Sequence, residues 1–187
     1  MNTFALSTMW GIKRFPQFDD FFEAGREAGF TTFELNHGVN HGVAAVRRSI
    51  ELAYQIGAAA VIVHPGRVLM DETAEATMWQ LYRDGKRHTP EYEHILAQMV
   101  AERAERAPVH LDAVRRSLDE LADEAARRGV RLGLENRDHY YEIPLIDELS
   151  ELLDAGYGDT VGYWHDVGHA QKSEYKGHGP HEAWLER

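Results

Sequence analysis

The chain has 187 residues, 43% of them hydrophobic, enough for one sizeable core and too few for two ordinary domains. It has no cysteine, which excludes a disulfide framework, a thiolate metal site and a cysteine nucleophile, and leaves His, Asp and Glu as metal ligands. A net charge of −11 repels a polyanion, and no stretch approaches the ~20 apolar residues of a membrane span, so a cytoplasmic protein with neither nucleic-acid nor membrane partner is expected.

In chain order, Phe4–Thr8 (FALST) is the first short apolar run rich in strand formers. Phe18, Phe21, Phe22 and Ala28 then form a helical stripe, with Asp19 and Asp20 near its positive end. Thr32–Leu35 (TFEL) reads as a second strand, followed by the glycine-rich NHGVNHG, where His37 and His41 are either pocket-lining or ordinary loop groups. Val46, Ile50, Ala53 and Ile56 make a second helix that Gly57 can close, and Ala60–His64 (AVIVH) a third strand.

The connection from His64 to the helix near Leu111 is long and has its own helical start at Thr89 and Pro90, with Tyr92, Ile95, Leu96 and Met99 in a stripe. It reads as a helical insertion, at about 67–108, in a single domain spanning 1–187; such insertions commonly serve as lids or as contacts in homo-oligomers. Leu111, Val114, Leu118, Leu121 and Ala125 keep helical spacing up to Gly129. Arg131–Glu135 (RLGLE) is a fourth strand, Pro144 suits a first helical position ahead of Leu145, Leu149, Leu152 and Leu153, and Val161–Asp166 (VGYWHD) is a fifth strand. Strands alternating with helices imply an α/β fold with a parallel sheet.

In such folds, ligands sit at the carboxyl ends of strands. Three strands here end in metal-competent side chains: His64, Glu135 and Asp166, with His169 three residues beyond the last. A carboxylate directly after LGL is placed for burial and needs a cation, a proton or a partner such as Arg137. Asp166 and His169 can face one pocket across Gly168; the alternative is Asp166 as a helix cap with His169 on the surface. Oxygen and nitrogen donors without sulfur suit Mn²⁺, Mg²⁺, Co²⁺ or Zn²⁺. Asn136 and Arg137 follow Glu135 as candidate substrate contacts, and Trp10 and Trp164 suit the apolar wall of a sugar site. No G-x-G-x-x-G, P-loop or G-x-S-x-G is present.

The motifs VIVHPG (Val61–Gly66), LGLENR (Leu132–Arg137) and YWHDVGHA (Tyr163–Ala170), in that order, resemble those of the xylose-isomerase-like TIM barrel superfamily. The resemblance implies a (β/α)8-type barrel, incomplete here or with segments outside this sequence, since a full barrel takes about 250 residues. It implies Glu135 as the central metal-binding and catalytic carboxylate, Asp166 as the next ligand, His64 as a ligand or pocket residue, and His169 as a substrate contact or a further zinc ligand. The activity implied is a metal-dependent isomerase or epimerase of a small sugar, sugar phosphate or polyol. The same motifs also occur in zinc-dependent apurinic endonucleases, and a degenerate barrel that binds a ligand or partner is the non-catalytic alternative.

Overall fold

The computed structural model describes residues 5–7, 18–29, 32–34 and 42–186. The expectations for Trp10, His37 and His41 lie outside them. The elements are β1 (Ala5–Ser7), α1 (Phe18–Glu27), β2 (Thr32–Glu34), α2 (Val43–Ile56), β3 (Ala60–Val63), β4 (Gly66–Arg67) and α3 (Thr73–Arg83). There follow α4 (Pro90–Arg128), β5 (Arg131–Glu135), β6 (Glu142–Ile143), α5 (Ile146–Leu153), β7 (Val161–Trp164) and α6 (Val167–Tyr175). All five expected strand runs form strands, in an α/β arrangement with a parallel sheet. β1 pairs in parallel with β2, Ala5 opposite Thr32, and a second sheet has the order β3-β5-β7. The two-residue strands β4 and β6, antiparallel with Gly66 opposite Ile143, are too short to show a period in sequence.

The chain forms two compact units. The first comprises Met1–Val63, Leu118–Gly133 and Tyr157–Gly162. Within it, α2 buries Ile50 and Ala53, and the strands bury Val61, Val63, Leu132 and Val161. Arg47 pairs with Glu120 and Glu124, and Arg128 with Glu51, fastening α2 to the end of α4. Gly57 closes α2 at φ 72°, where a side chain would be strained and glycine is not.

The second unit comprises His64–Ser117, Leu134–Gly156 and Tyr163–Arg187. Met78 and Leu81 of α3 bury against Tyr92 and Met99 of α4. Arg103 of α4 is buried and gives hydrogen bonds to the carbonyls of Tyr140 (2.6 Å) and Glu142 (3.0 Å) while pairing with Glu148. Four donor contacts make this buried cation affordable in a way a bare pair would not be.

Two details differ from the sequence pattern. The helix starting at Pro90 and the one near Leu111 are a single 39-residue helix running through Pro108. Buried Met99, Arg103, Ala107, Leu111, Val114 and Leu118 follow one another at helical spacing on both sides of the proline. That uninterrupted stripe offsets the one donor that proline removes. Pro144 does not open α5, which starts at Ile146: the Glu148 carboxylate accepts the Leu145 N–H at 2.7 Å and sets the start there.

Candidate metal centre

Glu135 is the last residue of β5 and is 4% exposed. Asp166 lies two residues beyond β7 and caps α6, its Oδ1 accepting the His169 N–H at 2.7 Å. The cap and the site are therefore compatible roles rather than alternatives. Capping fixes the carboxylate and, with it, the first turn that carries His169. One donor atom from each of Glu135, Asp166 and His169 falls within 4.8 Å of the others.

His169 Nδ1 lies 2.9 Å from the Asn136 carbonyl, 3.4 Å from Glu135 Oε1 and 3.9 Å from Asp166 Oδ1. A carbonyl accepts only, so the first contact assigns a proton to Nδ1. Donation from a ligating histidine to a backbone carbonyl is the usual way its ring is oriented.

His64, the residue after β3, brings Nε2 to 2.5 Å from Glu135 Oε2, but Oε2 has no hydrogen bond among the described residues. The contact is close and badly directed. Arg137 Nη1 also lies 3.1 Å from His64 Nε2 and 3.5 Å from Glu135 Oε2. One ring nitrogen cannot accept from the arginine and donate to the carboxylate at once. Oε2 is thus a buried anionic atom crowded by donors that do not satisfy it.

A divalent cation fits this group on its chemistry. Two carboxylates and an imidazole, with no sulfur, make a hard to borderline donor set, and Oε2 is a buried carboxylate oxygen without a hydrogen bond among the described residues.

Both residues that follow Glu135 are engaged within the protein. Asn136 is fully buried, and both ends of its amide go to Asp166: Nδ2 donates to the Asp166 carbonyl at 2.9 Å, and Oδ1 accepts the Asp166 N–H at 2.7 Å. It fixes the backbone of Asp166. Arg137 is held by Glu142 through Nε (3.1 Å) and Nη2 (3.0 Å), which commits most of its guanidinium to the protein. Trp164 ends β7 half-buried, and His37 lies outside the described residues.

Sequence reasoning missed a polar chain beside Asp166. The Tyr163 hydroxyl lies 2.5 Å from His165 Nδ1, and His165 Nε2 3.3 Å from His181 Nε2. Burial raises the Tyr163 pKa, with Asp166 adding to it, and lowers that of His165, so both stay uncharged at neutral pH. The alternation of Tyr163 and His165 along the strand was the available signal.

A family model described as a xylose isomerase-like TIM barrel matches residues 28–185. Among solved structures, one described as a D-tagatose 3-epimerase-like protein is similar at TM-score 0.52 and 17% identity, covering 87% of this chain and 57% of that one. Another, an L-ribulose 3-epimerase, is similar at TM-score 0.38 and 14% identity, covering 83% of this chain and 57% of that one. The chain thus spans little more than half the length of either structure. No curated protein sequence matches it.

Proposed function

The chain belongs to the xylose isomerase-like TIM barrel family, and from that premise we propose that it is a metal-dependent isomerase or epimerase of a small sugar or polyol. The observation that carries the reading is Glu135: a buried strand-end carboxylate with an unbonded oxygen, facing Asp166 and His169.

Glu135, Asp166 and His169 would hold a divalent ion, with His64 next to them. When bound, such an ion supplies a positive charge that stabilises the oxyanion formed as a carbon beside a carbonyl loses its proton. Asn136 and the cap of α6 keep Asp166 and His169 in place without moving during the reaction. Glu135 takes up the proton, and the C–H electron pair passes into the enediolate. Return of a proton to the neighbouring carbon completes an isomerisation, and return to the opposite face an epimerisation. Proton delivery to the opposite face needs a second acid, which the proposal assigns to no described residue.

Phosphodiester cleavage on abasic DNA ranks below this reading because a charge of −11 opposes a polyanionic substrate. The test is metal analysis followed by a ketose and aldose panel, with Glu135→Gln as control. Turnover that needs a divalent ion and disappears in the variant supports the proposal. A protein that takes up no divalent ion under any condition refutes it.

A further inference from the structure

A cavity of about 600 Å³ lies in the second unit, walled by α3, the segment after β5 and α6. It contains none of Glu135, Asp166 or His169, yet it is built on the elements that carry them. Lys172 and Lys176 line it, three and seven residues past His169 and so on the same face of α6. Asp138, three residues past Glu135, joins the two: its Oδ2 accepts from Lys172 Nζ at 3.1 Å, and its carbonyl from Lys176 Nζ at 2.6 Å. The size falls within the range of about 300–1,000 Å³ typical of small-molecule sites.

The lining specifies the kind of ligand. Each charged group already has an opposite: Lys176 with Glu75 at 2.6 Å, Lys172 with Asp138, Arg67 with Glu72, and His139 Nδ1 with Glu75 at 3.3 Å. Burial opposes the charged forms of Glu75 and Asp138. Bonds from His139 and Lys176 to the first, and from Lys172 to the second, outweigh it and hold both ionised. The cations and carboxylates of the lining thus face one another across short contacts. What remains are spare lone pairs and N–H groups, which match hydroxyls in both directions. Trp79, stacked on Tyr82 at 5.2 Å, and Tyr141, stacked on His139 at 4.9 Å, add aromatic walls.

We propose that this cavity is a subsite for a neutral sugar ring, so that the substrate is a glycoside whose reacting sugar lies at the metal centre and whose second ring lies against Trp79 and Tyr141. The inference rests on the isomerase or epimerase reading for the reacting sugar. It sharpens that reading from small sugars to glycosylated ones.

The test compares kcat/KM for fructose, fructose 6-phosphate and maltulose, which is fructose carrying a glucosyl ring. In the intact chain maltulose is favoured over fructose by about tenfold or more, the discrimination one well-filled pocket supplies. Trp79→Ala removes a wall and Ala76→Leu fills the space from α3; either brings the maltulose to fructose ratio close to 1. The subsite is overturned if neither variant changes the ratio, or if fructose 6-phosphate is preferred to maltulose. If no sugar is turned over, the reaction assignment fails and the cavity is judged by binding alone. Maltose then shifts the Trp79 indole N–H resonance in the intact chain and not in Ala76→Leu; absence of any shift overturns the subsite as well.

Discussion

Asn136 clasps Asp166 through both ends of its amide, giving a hydrogen bond to the Asp166 carbonyl at 2.9 Å and accepting the Asp166 N–H at 2.7 Å. The Asn136 carbonyl lies 2.9 Å from His169 Nδ1, so one buried residue next to Glu135 orients two of the three candidate ligands. Asn136→Ala leaves the two Asp166 backbone groups without these partners. We expect divalent-ion affinity to fall by about 10–100-fold, and stability by roughly 1–3 kcal/mol. Calorimetric metal titration and urea unfolding check the two effects separately. Unchanged metal affinity would show that this clasp does not serve the site.

Gly168 provides a second, finer test of the same carboxylate. A Cβ at this position would stand 3.2 Å from Asp166 Oδ1, the atom that caps α6, so the carboxylate must shift by a few tenths of an ångström. Alanine is also the better helix former, by about 1 kcal/mol. Gly168→Ala should therefore bind metal more weakly while unfolding at equal or higher urea concentration. Metal affinity at the level of the unmodified chain would place the ligand atom elsewhere on Asp166.

Much of this site was readable in sequence because parallel strands put chemistry at their carboxyl ends. The order of HPG, LGLE and HDVGH brought Glu135, Asp166 and His169 together on paper as it does in three dimensions. What sequence could not show is how a polar residue spends its hydrogen bonds. Asn136 and Arg137 stand beside Glu135 and read as substrate contacts, and only the structure shows that Asn136 also holds Asp166 and that Arg137 also pairs with Glu142. The stripes after Pro90 and from Leu111 likewise read as two helices, and only the buried run from Met99 to Leu118 shows why one helix continues through Pro108. The cavity was invisible for the same reason: Glu75, Asp138 and Lys176 are far apart in sequence, and each alone reads as a surface charge.

The Lys176 and Glu75 pair is buried on both sides, and its 2.6 Å contact is supplemented by the Tyr140 N–H donating to Glu75 at 3.0 Å. Lys176→Met leaves Glu75 with His139 and the Tyr140 N–H as its remaining partners and should cost about 1–3 kcal/mol. Glu75→Gln combined with Lys176→Met removes the carboxylate that lost its lysine and should recover part of that loss. A urea double-mutant cycle measures the coupling. Strict additivity of the two single changes would mean that the pair does not hold the wall of the cavity together.

His178 gives the fold a sensitivity to acid. Both of its ring nitrogens are buried without a hydrogen-bond partner among the described residues, and its ring packs 4.5 Å from that of Tyr140. Burial, the largest influence, lowers its pKa from 6.5 to about 4. The unfolded chain therefore takes up a proton near pH 6.5 that the folded chain refuses until about pH 4. Stability is fully present above pH 6.5 and is lost as the pH falls from there to about 4, by ~3 kcal/mol in all. His139 has its pKa raised by the hydrogen bond to Glu75, so its contribution is complete below the unfolded value and is lost only at higher pH. Glu75 and Asp138, with lowered values, lose theirs as the pH falls through the ordinary carboxylate range and below it. Between pH 6.5 and about 5, then, His178 is the group among these four whose titration lowers stability. His178→Phe keeps an aromatic ring against Tyr140 and removes this titration, leaving that of His165, whose pKa burial also lowers, so its urea midpoint should decline less across that interval than that of the unmodified chain. Parallel declines in the two proteins would assign the acid sensitivity to another group.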